Sequence, residues 1–358
     1  MLLLALSLNL LLLTIALFNF ATMRRISRVS SSSKSVAVLL PVRNEAENIE
    51  RILNELSHQT GLTSLRIIVI NDNSEDATLE IAQRYLKSGV EIINAPEPQP
   101  GWIGKVSALQ TGYHYLNPEL PEVIISVDAD VSFHPDAIAR AVATLDNLNL
   151  DFISPYPRQI AITWAERLAQ PLLQWSWIST VILRGAERFP RTSTVICNGQ
   201  FLVMRGAALA QISGFSSVSK RVLDDIELGR SFVRAGFRGV VVDGSEIAAT
   251  RMYKSFKELR AGYGKSLHTA FGSALGALTA TAFFILTGII PLIATIAGEP
   301  LGVSALIAIL ATRAISALAS ATRVRDALLH PFSSLFFIYL LYYSWRNRRT
   351  AQWKGRTL

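Results

Sequence analysis

Val123-Ile124-Ile125-Ser126-Val127-Asp128-Ala129-Asp130 is a strand suited to burial on both faces that runs straight into two carboxylates. In an extended backbone, residues two apart project to the same side, so Asp128 and Asp130 are expected to converge where the strand reaches solvent. Two hard oxygen donors at that point suit Mg²⁺ or Mn²⁺ bridging substrate phosphates, with water completing the shell. The plainer alternative is an acidic turn ahead of a helix that starts near Pro135.

Other short apolar runs repeat the pattern on either side. Strands are predicted at Val36 to Leu40, Ile67 to Ile70, Val90 to Ile93, Phe152 to Ser154, Phe201 to Met204 and Val240 to Val242. Helical periodicity fills Glu45 to His58, Asp76 to Leu86, Lys105 to Tyr115 and Pro135 to Leu145. This alternation predicts an α/β fold with a Rossmann-like, mostly parallel sheet. Ligands of such sheets gather at the carboxyl ends of the strands, so the polar residues after each apolar run are the ones to weigh.

Pro41-Val42-Arg43-Asn44-Glu45 follows the first strand. It lacks the Gly-x-Gly-x-x-Gly turn of dinucleotide folds, which argues against NAD or FAD. Pro41, Asn44 and Glu45 are candidate donor contacts, with helix capping by Asn44 as the structural alternative. Asn71-Asp72-Asn73-Ser74-Glu75-Asp76 follows the second strand. Asp72 comes too early to serve as a helix cap and can accept hydrogen bonds from a nucleobase N–H. Pro100-Gly101-Trp102-Ile103-Gly104-Lys105 brings a lysine to a helix start, where it can meet a diphosphate together with free backbone N–H groups; a loop with a packed tryptophan is the alternative. Asn198-Gly199-Gln200 opens another strand. Asp224-Asp225 opens a helix, where the pair either complements the helix dipole or raises each other's pKa into the range of a general base.

The ends of the chain read differently. Of 358 residues, 50% are hydrophobic and 17% charged, and the apolar excess is concentrated at the two ends. Met1 to Ala21 is long enough to cross a bilayer, which takes ~20 residues. Arg24, Arg25, Arg28 and Lys34 follow this run and no basic residue precedes it, so a retained anchor is expected in place of a cleaved signal peptide. The same residues place the next domain in the cytoplasm. A second apolar block divides at Gly298-Glu299-Pro300 and Arg323-Val324-Arg325-Asp326 into segments 272–296, 301–320 and 327–345. Both the Arg323/Arg325 loop and the basic tail ask to be cytoplasmic, with one crossing between them. His330-Pro331 leaves the last segment open to a re-entrant course. The expected organisation is therefore an anchor (1–21), a basic, serine-rich linker (22–35), a catalytic domain (36–250), an amphipathic interfacial helix (251–270), membrane segments (271–345) and a basic cytoplasmic tail (346–358). In the amphipathic stretch, Phe256, Leu259, Tyr263 and Leu267 recur at helical spacing among basic residues.

The formal charge of +8 lies largely beside the apolar segments, where topology and anionic headgroups account for it without nucleic acid. Cys197, the single cysteine, permits neither an intrachain disulfide nor a cysteine-based zinc site.

Taken in order, these motifs resemble the inverting family-2 glycosyltransferases of the GT-A fold, over roughly residues 34 to 260. The resemblance implies that Asp72 binds the base, Asp128 and Asp130 hold the metal, and Asp225, with Asp224 beside it, supplies the catalytic base. Gly101-Trp102-Ile103-Gly104-Lys105, Asn198-Gly199-Gln200-Phe201-Leu202, Arg251-Met252-Tyr253 and Trp353-Lys354-Gly355-Arg356 are similar to the hopanoid-associated and carotenoid (diaponeurosporenoate-type) branch. Between Asp225 and the membrane block there is no Gln-x-x-Arg-Trp, which argues against a processive polymerase. Asp224-Asp225 stands in place of the commoner Glu-Asp pair, and Asn71-Asp72-Asn73 in place of a more acidic run.

The implied protein is a multi-pass enzyme of the inner membrane whose catalytic domain faces the cytoplasm. Its donor is a nucleotide sugar, its cofactor Mg²⁺ or Mn²⁺, and its acceptor a membrane lipid, with Lys105 on the donor diphosphate and Asn198, Gly199 and Gln200 on the acceptor side. A polyprenyl-phosphate acceptor and a non-catalytic sugar-nucleotide-binding module are the alternatives, and no obligate protein partner is implied.

Overall fold

A computed structural model describes residues 1–117, 119–348, 352–353 and 356–357. Of the basic tail, Arg349, Lys354 and Gly355 lie outside the described residues. The chain forms two compact units: an α/β unit of Arg24–Arg158 and Gly185–Thr250, and a helical unit of Met1–Met23, Gln159–Arg184 and Arg251–Leu358.

In chain order, the first elements are α1 (Leu2–Thr22), β1 (Ser32–Val42), α2 (Ile49–Ser57), β2 (Leu62–Asn71), α3 (Thr78–Gln83), β3 (Val90–Asn94), α4 (Gly104–Leu116), β4 (Val123–Val127), β5 (Val131–Phe133) and α5 (Ala137–Asn147). Next come β6 (Phe152–Tyr156), β7 (Arg158–Gln159), α6 (Trp164–Thr180), α7 (Leu183–Arg188), β8 (Phe201–Arg205), α8 (Gly206–Gln211), α9 (Asp224–Arg234), β9 (Gly239–Asp243) and β10 (Ala248–Thr250). The chain ends in α10 (Phe256–Phe271), α11 (Ala274–Phe284), α12 (Ile290–Ile296), α13 (Pro300–Ala319) and α14 (His330–Arg346).

Seven strands form one sheet in the order β3-β2-β1-β4-β8-β6-β9. Every neighbouring pair is parallel except those made by β8, which runs antiparallel to β4 and β6. All seven strands expected from the apolar runs are present, extended by up to a few residues at their ends. Along β1 the side chains alternate between two apolar layers. Val36, Val38 and Leu40 pack with α2 and α5, and Ala37 and Leu39 pack with α4, α8 and α9. A strand covered on both faces reads as a continuous apolar run, which is why these strands stood out in the sequence.

Two details fix the elements around the site. In α2, Ile49, Ile52, Leu53 and Leu56 are all buried, a single stripe at helical spacing. The helix starts at Ile49 and not at Glu45, because Glu45 to Asn48 form a turn closed by Asn48 N–H to Glu45 O (2.9 Å) and by the Asn48 amide to Glu45 Oε2 (2.8 Å). In α4, a Cβ on Gly112 would lie 2.7 Å from Ile70 Cδ1 and 3.0 Å from Leu39 Cδ2. Glycine lets α4 lie close on β1 and β2, which sets the height of its N-terminal Lys105.

The chain runs outward from β1 through β2 to β3, then returns to lay β4 on the other side of β1. That reversal opens a crevice at the carboxyl ends of β1 and β4, the place where such sheets bind ligands.

Among the described residues, the helical unit contains four helices long and apolar enough to cross a membrane: Leu2–Thr22, Ala274–Ile296, Pro300–Ala319 and Val324–Arg346. Pro331 sits in the first turn of α14, where it breaks no internal hydrogen bond. Helix α6 belongs to this unit although its sequence interrupts the α/β unit. Helix α10 is capped by Ser255, whose Oγ accepts from Glu258 N–H (3.2 Å). Its Leu259, Tyr263 and Leu267 are buried inside the helical unit, and Tyr263 Oη donates to Gln170 Oε1 (3.1 Å). Phe256, the first residue of the stripe, is partly buried against the same cluster.

Candidate active site

Asp128 and Asp130 sit on the turn between β4 and β5, beyond the end of the strand, and Val131 N–H closes the turn on Asp128 O (3.2 Å). Turn geometry, and not strand alternation, therefore brings the two carboxylates together. The turn is held from below by Arg51 of α2, which donates to Ala129 O (3.2 Å), Val131 O (2.8 Å) and Ser132 Oγ (2.7 Å). Asp128 N–H donates to Gln200 O (3.2 Å), tying the turn to the start of β8.

Lys105, in the first turn of α4, reaches Asp128 with Nζ 2.5 Å from Oδ1. Burial alone would lower this ammonium's pKa, but Asp128, Asp224 and Asp225 outweigh it and hold the ammonium above the ordinary lysine range. Asp224 and Asp225 begin α9. Asp225 Oδ2 accepts from Gly199 N–H (2.9 Å) and Oδ1 from Ile226 N–H (2.8 Å). A Cβ on Gly199 would lie 3.2 Å from Asp225 Cβ and 3.3 Å from Lys105 Nζ. Lys105, Asp128, Gly199 and Asp225 therefore share one small volume, although they are spread over more than a hundred residues of sequence.

Three carboxyl groups here, Asp130, Asp224 and Asp225, resist ionisation. Burial, reinforced by Asp128 and Glu45, raises Asp130 to about 6. Burial, reinforced by Asp225 and Asp128 and opposed by Lys105, raises Asp224 to about 6. Asp225 is also raised by burial, against the two backbone N–H groups that favour its charge.

Asn198 and Gln200 brace the same corner. Asn198 Nδ2 donates to Gln200 Oε1 (2.9 Å), Asn198 Oδ1 accepts from Gln200 N–H (2.9 Å), and Asn198 N–H donates to Ser154 Oγ (2.8 Å). Cys197 is buried beneath α9, where a Cβ on Gly229 would lie 2.5 Å from Sγ. Its thiol is pushed well up by burial and by Asp225, which leaves it inert.

At the ends of β1 and β2 the polar cluster divides. Asn71 Oδ1 accepts from Ser74 N–H (3.1 Å), and Asp76 Oδ2 accepts from Ala46 N–H (3.1 Å), so both shape loops. Asn44, in the left-handed region at φ 52°, uses Oδ1 to accept from Glu75 N–H (2.8 Å). It ties the first loop to the second and does not cap α2. Glu45 N–H donates to Thr78 Oγ1 (2.8 Å), and Pro41 lies within β1 opposite Ile70. Asp72 is 2% exposed at the carboxyl end of β2, with its N–H on Val42 O (2.8 Å).

Two residues at the site have no role assigned from sequence. Thr250, buried on β10, lies beside Asp130; its only signal is its place directly before Arg251-Met252-Tyr253. Asn73, also at φ 52°, has a buried Nδ2 without a partner next to Asp72.

The donor set suits a hard cation. Asp130 Oδ1 is buried with no hydrogen-bond partner, and its neighbour Asp128 offers a second carboxylate on the same turn. Among the described residues no group of three or more His, Cys, Asp or Glu is arranged for a metal. Two carboxylates, with phosphate and water supplying the rest, are what Mg²⁺ or Mn²⁺ accepts.

The family described as Glycosyl transferase family 2 matches residues 37–212. A 4,4'-diaponeurosporenoate glycosyltransferase of Staphylococcus haemolyticus is 26% identical over 256 residues, covering 69% of this chain and 64% of that protein. Its counterpart from Staphylococcus aureus strain USA300 is 22% identical over 363 residues, covering 95% and 92%. Among solved structures, the mannosyltransferase PcManGT of Pyrobaculum calidifontis, in complex with GDP-Man and Mn²⁺, superposes with a TM-score of 0.60 at 19% identity, covering 96% of this chain and 97% of that one. With this sheet order and this match, residues 37–212 carry a glycosyltransferase family 2 domain built on the GT-A fold.

Proposed function

We propose that the protein moves a sugar from a nucleotide-sugar donor, a UDP-sugar, to a membrane lipid acceptor of carotenoid or hopanoid-type isoprenoid character, with inversion at the anomeric carbon. The observation that carries this reading is Lys105 set between Asp128 and the acidic pair of α9, with Gly199 backing Asp225.

Asp72 accepts from the nucleobase, and Lys105 brings positive charge to the donor diphosphate. A divalent cation held by Asp128 and Asp130 would neutralise the charge that grows on the leaving diphosphate. Asp225, fixed by its two backbone N–H donors, takes the proton of the acceptor hydroxyl as that oxygen bonds to the anomeric carbon. The bond from that carbon to the diphosphate breaks in the same displacement, and the nucleoside diphosphate leaves with the electron pair. Asn198, Gly199 and Gln200 border the acceptor side.

The lipid acceptor rests on the four apolar helices carried by the same chain and on the acceptor named for the staphylococcal relatives. Arg24, Arg25 and Arg28 after the first helix favour a cytoplasmic face of the inner membrane for the α/β unit.

Membranes carrying the protein, incubated with labelled nucleotide sugars and then lipid-extracted, should yield a labelled lipid only when Mn²⁺ or Mg²⁺ is present. Label confined to soluble sugars would remove the lipid acceptor, and label on a polyprenyl phosphate would replace it. Asp225→Asn should abolish transfer while donor binding persists; turnover near that of the wild type would refute the base assignment.

A further inference from the structure

Within the helical unit, a set of buried polar groups faces inward without partners. Arg313 of α13 is 3% exposed and His330 of α14 is 0% exposed. Arg313 Nη1, both ring nitrogens of His330, Trp175 Nε1, Ser316 Oγ and Ser333 Oγ are buried and make no hydrogen bond. They are neighbours: the guanidinium lies 5.9 Å from the Trp175 ring centroid, and the Trp175 and His330 rings lie 4.9 Å apart. Ser316 and Ser333 stand three residues beyond Arg313 and His330, on the same helix faces.

A guanidinium does not shed its charge, and a buried charge without an anion is costly. Among the described residues no carboxylate lies within ion-pair distance of Arg313. Asp326, the acid in its electrostatic reach, is taken by Arg167, whose Nε and Nη2 lie 3.0 and 2.5 Å from its Oδ1. An ionisable residue inside a span marks a functional site by default.

The backbone supplies a second sign. The helix from Ala274 to Ile296 is interrupted by a π-helical turn at Ile285–Ile289, a feature frequent at functional sites. Its Gly288 faces this cluster, since a Cβ there would lie 2.3 Å from Ser334 Oγ and 3.4 Å from His330 Cδ2.

From this geometry we infer an anion site inside the helical unit, which takes a carboxylate or phosphate through the Arg313 guanidinium, the Trp175 indole N–H and the hydroxyls of Ser316 and Ser333. The groups are donors matched to a planar or tetrahedral oxyanion. Arg313 lies in the last two turns of α13 and His330 begins α14, so the site sits toward one end of the spans. That depth suits the anionic head of an amphiphile whose apolar tail lies along the helices. The site is independent of which lipid accepts the sugar, and its test is a binding measurement.

The full chain in nanodiscs of neutral phosphatidylcholine would be titrated with oleate, methyl oleate, a polyprenyl phosphate and inorganic phosphate, with binding read by native mass spectrometry. The wild type should bind at least one anion and not the methyl ester, and Arg313→Met should weaken that binding by about tenfold or more. Binding by oleate or polyprenyl phosphate alone assigns the anion to an amphiphile, and equal binding by inorganic phosphate assigns it to a free anion. If Arg313→Met fails to fold, the Ser316→Ala/Ser333→Ala double variant keeps the charge and should still lose affinity severalfold. Binding of no anion, or undiminished anion binding by the variants, would overturn the site.

Discussion

Lys105 Nζ and Asp128 Oδ1 lie 2.5 Å apart, and the same ammonium also feels Asp224 and Asp225. One cation, delivered by the first turn of α4, thereby offsets carboxylates from two other elements, the β4–β5 turn and α9. Without it, like charges in a half-buried cleft would repel and take up protons.

Lys105→Met should therefore lower kcat/KM by roughly two orders of magnitude, through weaker diphosphate binding and through the protonation of its neighbours. Lys105 lowers the pKa of Asp130, Asp224 and Asp225, so its loss should move the acidic limb of the pH–kcat/KM profile toward alkaline pH. Lys105→Arg should restore part of the rate and most of the limb. An acidic limb in Lys105→Met that stays at the wild-type pH would contradict this coupling.

The acidic pair carries a stability cost with a defined sign. Burial raises Asp224 to about 6, above the usual carboxylate range, so the folded state binds its proton more tightly than the unfolded state does. Stability from this group is greatest at low pH and is lost as pH rises through the folded value. Asp224→Asn should accordingly raise Tm at pH 7.5, by roughly 3 °C, and the gain should fade as pH falls toward 4. Calorimetry at two pH values measures it; a lower Tm at pH 7.5 would show that the charge is stabilised on folding.

Sequence legibility followed the local physics. The strands were readable because doubly covered strands are apolar throughout, as in Val36 to Leu40. The antiparallel course of β8 was not, since Phe201 to Met204 is as apolar as its parallel neighbours and strand direction leaves no local mark. Helix α6 was missed because Trp164 to Thr180 contains an internal Pro171 and buries polar residues such as Glu166, Gln170 and Gln174. At the site, Asp128, Lys105 and Asp225 could be picked out because carboxylates and a lysine beside apolar strands or helix starts are chemically conspicuous. Position alone leaves Asn44 between a donor contact and a helix cap, whereas its partner in the structure, Glu75 N–H, is 31 residues away. Thr250 gave no signal beyond its place before Arg251-Met252-Tyr253, because a strand-end threonine is ordinary until a carboxylate from another turn is seen beside it.

Arg51 acts on the site through the backbone of the Asp128-Ala129-Asp130 turn and touches neither carboxylate in its hydrogen bonds. Arg51→Met should cost about 1–2 kcal/mol of stability for the lost hydrogen bonds. The more telling effect is a rise of roughly tenfold in the Mn²⁺ concentration needed for half-maximal rate, with donor KM at saturating Mn²⁺ little changed. A purely structural arginine would lower Tm and leave the metal dependence alone, so metal titration of the variant separates the two roles.

Gly199 offers the sharpest test of the shared volume. Its N–H holds Asp225 Oδ2 at 2.9 Å, and an added Cβ would meet Asp225 Cβ at 3.2 Å and Lys105 Nζ at 3.3 Å. The lysine tip can swing aside, but Asp225 Cβ is fixed by α9, so the Asp225 carboxylate, the proposed base, must shift by a few tenths of an ångström. Displacements of that size in a positioned base cost rate more than they cost folding. Gly199→Ala should reduce kcat by roughly tenfold or more, while circular dichroism and the donor Kd remain close to wild type. Gly199→Val, whose larger side chain cannot be absorbed by the lysine alone, should reduce it further. A wild-type kcat in both variants would mean that Asp225 is not held against this glycine during turnover, and the assignment of Asp225 as the fixed base would have to be abandoned.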